Sequence, residues 1–285
     1  VIPVNPLAMV VGYIILIFSE VFLWLLIACL VAFLIPRCRR YMLARRWRFG
    51  FLVVGLAVVS APYVKIVVGH WLDVRAHTPR LQHEEVLGDL VLPAGTQVRL
   101  ENLEPFDNLA GEPVPFGMQS LKHADFDRTL GNIMGMRVRR LELWQSHGTA
   151  TVETVSTHDL EGWTCEPGKV EFNFPFGAHF TFSQWSLQEC MLAPGTRLGG
   201  IIWPGPVRVF STERGWEARS EDTPVQLLGM ELRGLRMRLN RPGSDVFMWQ
   251  GALDRAVDFG SVHYPQGTQV RSDQGNLLFS LPPDM

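Results

Sequence analysis

Two long apolar runs open the chain, and short alternating stretches fill the rest. From Leu7 to Ile35, 29 positions are apolar apart from Ser19, Glu20 and small or aromatic residues, and the run stops at Pro36. A helix of that length covers about 43 Å at about 1.5 Å per residue, more than the roughly 30 Å core of a bilayer requires. The second run, Phe49 to Leu72, has 24 positions and is interrupted by Pro62, Lys65 and His70. Between them lies RCRRYMLARRWR, which contains Arg37, Arg39, Arg40, Arg45, Arg46 and Arg48. The pattern predicts a two-helix transmembrane hairpin over residues 1–72 with an arginine-rich loop, residues 37–48, at its tip. Short loops rich in Lys and Arg stay cytoplasmic. Both termini and everything after Leu72 are therefore expected outside the cytoplasm, in the periplasm if the anchor lies in a bacterial inner membrane. A secretory signal needs a basic start and a shorter apolar core; VIPVNP has no basic side chain, so the first run reads as an anchor.

An ionised carboxylate inside a bilayer costs several kcal/mol unless it is paired, so Glu20 requires a partner. Antiparallel helices folded about the loop centre set Lys65 at the depth of Glu20. The expected intramembrane ion pair is thus Glu20 with Lys65, fixing the register of the hairpin.

A polar linker, residues 73–86, precedes a region of different character. Helical periodicity is scarce there, while apolar and polar residues alternate between Gly and Pro, the pattern of strands with one buried face. A unit recurs: LGDLVLPAGTQVRL from Leu87, LGGIIWPGPVRVF from Leu198, LGMELRGLRMRL from Leu228 and FGSVHYPQGTQVRS from Phe259, with weaker copies from Leu130 and Val170. The turn glycines of these copies are Gly95, Gly135, Gly177, Gly205, Gly234 and Gly267. Glycine supplies positive φ at turns, and proline pre-sets the entry. Residues 87–285 are accordingly expected to form an all-β domain of repeated β-hairpins, solenoid-like or a sandwich, since single hairpins are barely stable in water.

Charge sharpens the picture. The 285 residues carry a net −2, yet residues 1–72 hold seven basic groups against one acid, which leaves 19 basic and 27 acidic groups beyond them. That imbalance argues against nucleic acid as a ligand, because phosphates would be repelled. The arginines of the loop suit anionic lipid headgroups. Cys29 falls in the first run and Cys38 in the loop, leaving Cys165 and Cys190 as a pair expected to form a disulfide in an oxidising compartment. There is no CxxC, GxSxG, GxxxxGK[ST] or HExxH motif. His123, Asp125 and Asp127 could meet a metal, and Ser156, Thr157, His158 and Asp159 could be drawn into a hydrolase site, but short polar clusters between strands usually form turns. No catalytic residue, metal or cofactor is assigned. The dense aromatics, among them Trp144, Trp163, Trp203 and Trp249, are expected mostly in the core, with any exposed row serving as a partner surface.

The glycine-turn units, with their PAGTQVRL and PQGTQVR forms and the trailing Gly275-Asn276-Leu277, resemble repeat-bearing envelope proteins encoded beside secreted bacterial toxins. Some of those act as periplasmic immunity proteins. The resemblance implies a membrane-anchored periplasmic binding protein without catalysis, which neutralises a toxin. The acidic outer domain suggests a basic protein partner, drawn in by electrostatic steering. Alternative roles are an envelope scaffold or assembly protein, or a hydrolase of cell-wall or lipid substrates.

Overall fold

A computed structural model describes residues 6–281 except 221–222, 244–245 and 274. The chain divides into two units, residues 1–76 and 77–285.

The first unit is helical. Helix α1 spans Pro6–Leu34, α2 spans Pro36–Ala44 and α3 spans Arg46–His77. The break between α1 and α2 has a local cause: a residue before proline is pushed out of the helical region, and Ile35 sits at φ −80°, ψ 119°. Pro36 then occupies the first turn of α2, where its missing N–H costs nothing. The arginine-rich segment expected as a loop is therefore mostly helical. Apolar side chains of α1 and α3 are exposed along most of their length, and both helices are long and apolar enough to cross a membrane.

The second unit is a mostly antiparallel β-sheet. Twelve strands follow one another as neighbours: β1 (Gln97–Leu100), β2 (Leu121–Asp125), β3 (Met136–Trp144), β4 (Thr149–Thr154), β5 (Gly168–Asn173), β6 (Ser186–Leu192), β7 (Val207–Thr212), β8 (Gly215–Ser220), β9 (Met230–Leu239), β10 (Val246–Leu253), β11 (Gln269–Asp273) and β12 (Asn276–Ser280). Each pairs antiparallel with the next, so the sheet is a continuous meander.

A miniature hairpin leads into every odd-numbered strand: it comes before β1, β5, β7 and β11, while for β3 and β9 its second arm is the start of the long strand itself. In each, Leu87 pairs with Leu90, Ile133 with Met136, Leu160 with Trp163, Leu198 with Ile201, Leu227 with Met230, and Phe259 with Val262. Their two-residue turns fall into two kinds. Gly88 and Gly260 lead with positive φ, as the first position of a type II′ turn requires. Met134-Gly135, Glu161-Gly162, Gly199-Gly200 and Leu228-Gly229 have positive φ at both residues, the type I′ geometry that follows the twist of the strands.

The repeat is thus a miniature hairpin followed by two long strands. This corrects the turn assignment. Of the six glycines singled out, only Gly135 closes a miniature hairpin. Gly95 and Gly267 lie in Pro-x-Gly-Thr turns that lead into β1 and β11, closed by Thr96 and Thr268 hydroxyls donating to Pro93 and Pro265 carbonyls at 2.7 Å. Gly177 turns the Pro175–Ala178 loop. Gly234 sits within β9, where the register with β10 shifts between Arg233 and Arg236. Gly205 lacks positive φ; a Cβ there would lie 2.3 Å from Thr223 Oγ1, so close approach explains it.

Miniature hairpins and long strands share one core. Leu90, Ile133, Trp163, Leu198 and Met230 from the hairpins join Val98, Leu141, Val152, Phe172, Val209 and Leu235 from the meander in a single buried cluster. The first five hairpins cover the apolar face that the alternating strands present, the last leaves Phe259 and Val262 exposed, and the opposite face is mostly polar. Cys165, closing one miniature hairpin, and Cys190 on β6 are both buried with sulfurs 2.09 Å apart, which fixes that hairpin to the meander.

Candidate interaction surface

The outward face of the meander collects the charged side chains of the alternating strands. Antiparallel register sets Arg99, His123, Glu142, Thr151, Glu171 and Glu189 in a line across β1 to β6. Like charges directly opposite one another destabilise a sheet, and Glu171 faces Glu189. Cations offset them: Lys169 Nζ lies 2.6 Å from Glu171, and Arg208 Nη1 lies 3.4 Å from Glu189. The hydrogen bond to Glu171 raises the Lys169 pKa above its ordinary value.

Toward β1 the charges knit more tightly. Asp125 accepts from Arg140 Nε at 2.9 Å and contacts His123 Nε2 at 2.8 Å. Partial burial would raise the Asp125 pKa, but the hydrogen bonds and charges of Arg140 and His123 outweigh it and hold the carboxyl below its usual value. Arg140 is raised in turn, chiefly by its hydrogen bond to Asp125. Both ends of this cluster are therefore charged at neutral pH. A contribution of this kind belongs to the sheet's stability, not to proton transfer.

Beside it lies a depression of about 510 Å³ lined by Glu142, Trp144, His147, Lys169, Glu171 and Gln188 among others. Trp144 is 44% exposed there, with Lys122 Nζ 4.9 Å from its ring centroid and His147 against its edge. A half-exposed tryptophan framed by charges has the composition of an interface anchor. Most other aromatics are core as expected: Trp163, Trp185, Trp203, Trp216 and Trp249 are buried, while Phe176 and Phe247 are exposed with Trp144.

The remaining candidates separate. Asp127 turns to Arg80, at 3.7 Å, away from the His123–Asp125 pair; among the described residues no three ligating side chains converge on one point. Ser156 Oγ and His158 Nε2 are 3.0 Å apart, but Asp159 accepts from the Thr164 hydroxyl at 2.6 Å instead of orienting His158. The pair lacks the third group that a Ser-His-Asp arrangement uses to hold the imidazole.

In the helical unit, the less exposed positions include Leu16, Ser19, Glu20, Leu23, Leu26 and Phe33 on α1, and Phe49, Val53, Leu56, Ser60 and Tyr63 on α3. Their spacing of three and four marks one inward stripe per helix, and Phe33 stacks on Phe49 with centroids 5.9 Å apart. Glu20 lies on its stripe, half-buried; Lys65 lies off its own, exposed. The two described side chains form no ion pair with each other. Arg37, Arg39 and Arg40 are exposed on α2, Arg45 joins α2 to α3, and Arg46 and Arg48 open α3; Arg39 lies 5.7 Å from the Phe33 ring.

No protein-family model, no curated protein and no solved structure matches this chain. The likeness to toxin-linked envelope proteins rests on the turn residues alone. The alternation of the strands announced a charged outward face, but the depression at Trp144 depends on register, which composition does not reveal.

Proposed function

We propose that the chain is a binding protein without catalysis, anchored in a bacterial inner membrane by α1 and α3, whose β domain sequesters a protein partner in the periplasm, as toxin-neutralising immunity proteins do. The observation that carries the reading is Trp144, half-exposed in a charged depression on an otherwise self-sufficient sheet. Miniature hairpins supply buried side chains to the apolar face in all but the last repeat, so an exposed indole on the opposite face is not needed for the fold. Two further features support the location: the six arginines between the apolar helices favour a cytoplasmic tip, and the Cys165–Cys190 disulfide suits an oxidising compartment.

The test is capture from detergent-solubilised bacterial membranes using the tagged full chain, alongside Trp144→Ala. A co-purifying envelope or secreted protein that is recovered by the natural chain and depleted at least tenfold by the variant is the expected result; loss of an aromatic anchor of 2 kcal/mol or more, about the threshold for a hot spot, weakens binding by that order. Recovery of insertase and chaperones alone, equally from both chains, contradicts the proposal. A reporter fused after Leu72 that behaves as cytosolic contradicts the location.

A further inference from the structure

The second half of the outward face carries a different charge pattern. Across β7 to β11, strand register sets Arg208, Arg219, Arg236, Gln250 and Arg271 side by side in one row. Neighbouring strands are about 4.8 Å apart, so the row runs for about 19 Å. All five side chains carry N–H donors, and four are permanent cations. Acids compensate part of it: Glu189 neighbours Arg208, and the buried Glu217 is shared by Arg219 and Arg238. Arg236 is exposed and makes no ion pair among the described residues. Arg219 is stacked over Phe210, 5.2 Å from the ring centroid. The ring and Glu217 hold this guanidinium in place.

We propose that this row docks an acidic segment of the protein partner, the segment's carboxylates accepting from the guanidinium N–H groups. The inference rests on the protein-binding reading and adds the chemistry of one contact. Guanidinium forks match carboxylates bidentately. Each carboxylate brings one negative charge, so Glu189 and Glu217 beside the row repel it less than they repel a phosphate dianion. The row is spread across an open sheet face and suits an extended segment rather than a small molecule, which binds in a concavity. Overall charge suggests a basic partner; the local row calls for the opposite sign at this contact.

The test measures fluorescence anisotropy of a labelled octaglutamate peptide with the full chain in detergent, against octaglutamine. Octaglutamate should bind with an affinity that falls as salt rises. Arg236→Glu should weaken it by about tenfold or more, Arg236→Gln by less, and Arg99→Glu, on the same face but far from the row, by under about twofold. Because Arg236 is exposed, both of its variants should keep the thermal midpoint of the natural chain. Absence of octaglutamate binding, or equal loss from Arg99→Glu, overturns the inference. So does Arg236-dependent binding of inorganic polyphosphate or of phosphatidylglycerol vesicles in preference to the peptide. A partner whose capture survives Arg236→Glu sinks the acidic-segment inference and leaves the binding-protein reading standing; octaglutamate binding with no partner recovered does the reverse.

Discussion

Opening the Cys165–Cys190 link should loosen one repeat far more than composition suggests. The two cysteines are 25 residues apart, and closing a loop of that size lowers the entropy of the unfolded chain enough to stabilise the native state by about 3.5 kcal/mol. The geometry localises the effect. Cys165 ends the miniature hairpin that carries Trp163; Glu166 N–H donates to the Met191 carbonyl beside it; and Trp163 meets Trp216 edge-on at 5.5 Å. Without the link, that hairpin holds to β6 by a short run of backbone bonds and its side-chain packing. Cys165→Ala with Cys190→Val keeps the buried volume close to the original, so the loss should come mainly from the loop. In a domain of this size it corresponds to a fall of about 7 to 14 °C in the melting midpoint. Urea unfolding of the full chain in mild detergent, followed by tryptophan fluorescence, measures it directly. A loss under about 1 kcal/mol would refute the chain-entropy reasoning, and alkylation of Cys165 and Cys190 without reductant, beyond that of the free Cys29 and Cys38, would refute the link itself.

Two further outcomes follow from the repeats and the charge cluster. Met134 leads a type I′ turn at φ 52°, a region that costs an L-residue about 1 to 2 kcal/mol; Met134→Gly should therefore raise stability by up to about 1 kcal/mol in urea denaturation, whereas Glu161→Gly should gain less, because the Glu161 carboxylate accepts from the Leu187 N–H. Asp125 has a folded pKa below its ordinary 3.8, so its stabilising contribution is present above that value and is lost as pH falls through the lower, folded one. The gap in unfolding midpoint between the natural chain and Asp125→Asn should be open at pH 6 and close below about pH 4; a gap that widens on acidification would show that the charged carboxylate is not the stabilising form.

Much of the fold was legible because it depends on local chemistry. The apolar runs gave the two long helices, and Pro36 marked the end of the first. Alternation gave the strands and their buried face, and the count of cysteines in the β domain gave the bonded pair. The repeat was legible in its period but displaced in its turns. Proline and glycine advertise the Pro-Ala-Gly-Thr and Pro-Gln-Gly-Thr turns, whereas three of the tight hairpins begin at Met134, Glu161 or Leu228, whose side chains carry no turn signal; strand pairing on either side forces their positive φ. The helical register was hidden for a similar reason. Loop symmetry set Lys65 opposite Glu20, but side-chain packing at Phe33 and Phe49 and the stripe through Ser60 and Tyr63 leave Lys65 outside. The candidate surfaces were the least legible of all. Which side chains share a row depends on pairing and on the shifts at Arg99/Leu100 and Arg233/Arg236, and net charge averages an acidic line with a basic one.

Building the cover into each repeat has a consequence for function. A sheet buried on one face usually needs another domain or layer to seal it, and that partner restricts where the exposed face can vary. Here the cover and the sheet alternate along the chain, so all but the last unit bring a buried leucine, isoleucine, tryptophan or methionine that shields their own strands. Outward residues such as Trp144 and Arg236 are exposed and are not members of that core cluster, and their replacement should leave the melting midpoint almost unchanged while altering binding. Stability and recognition are then separable in this protein: a variant at either position that unfolds the domain would show that the outward face is structural after all.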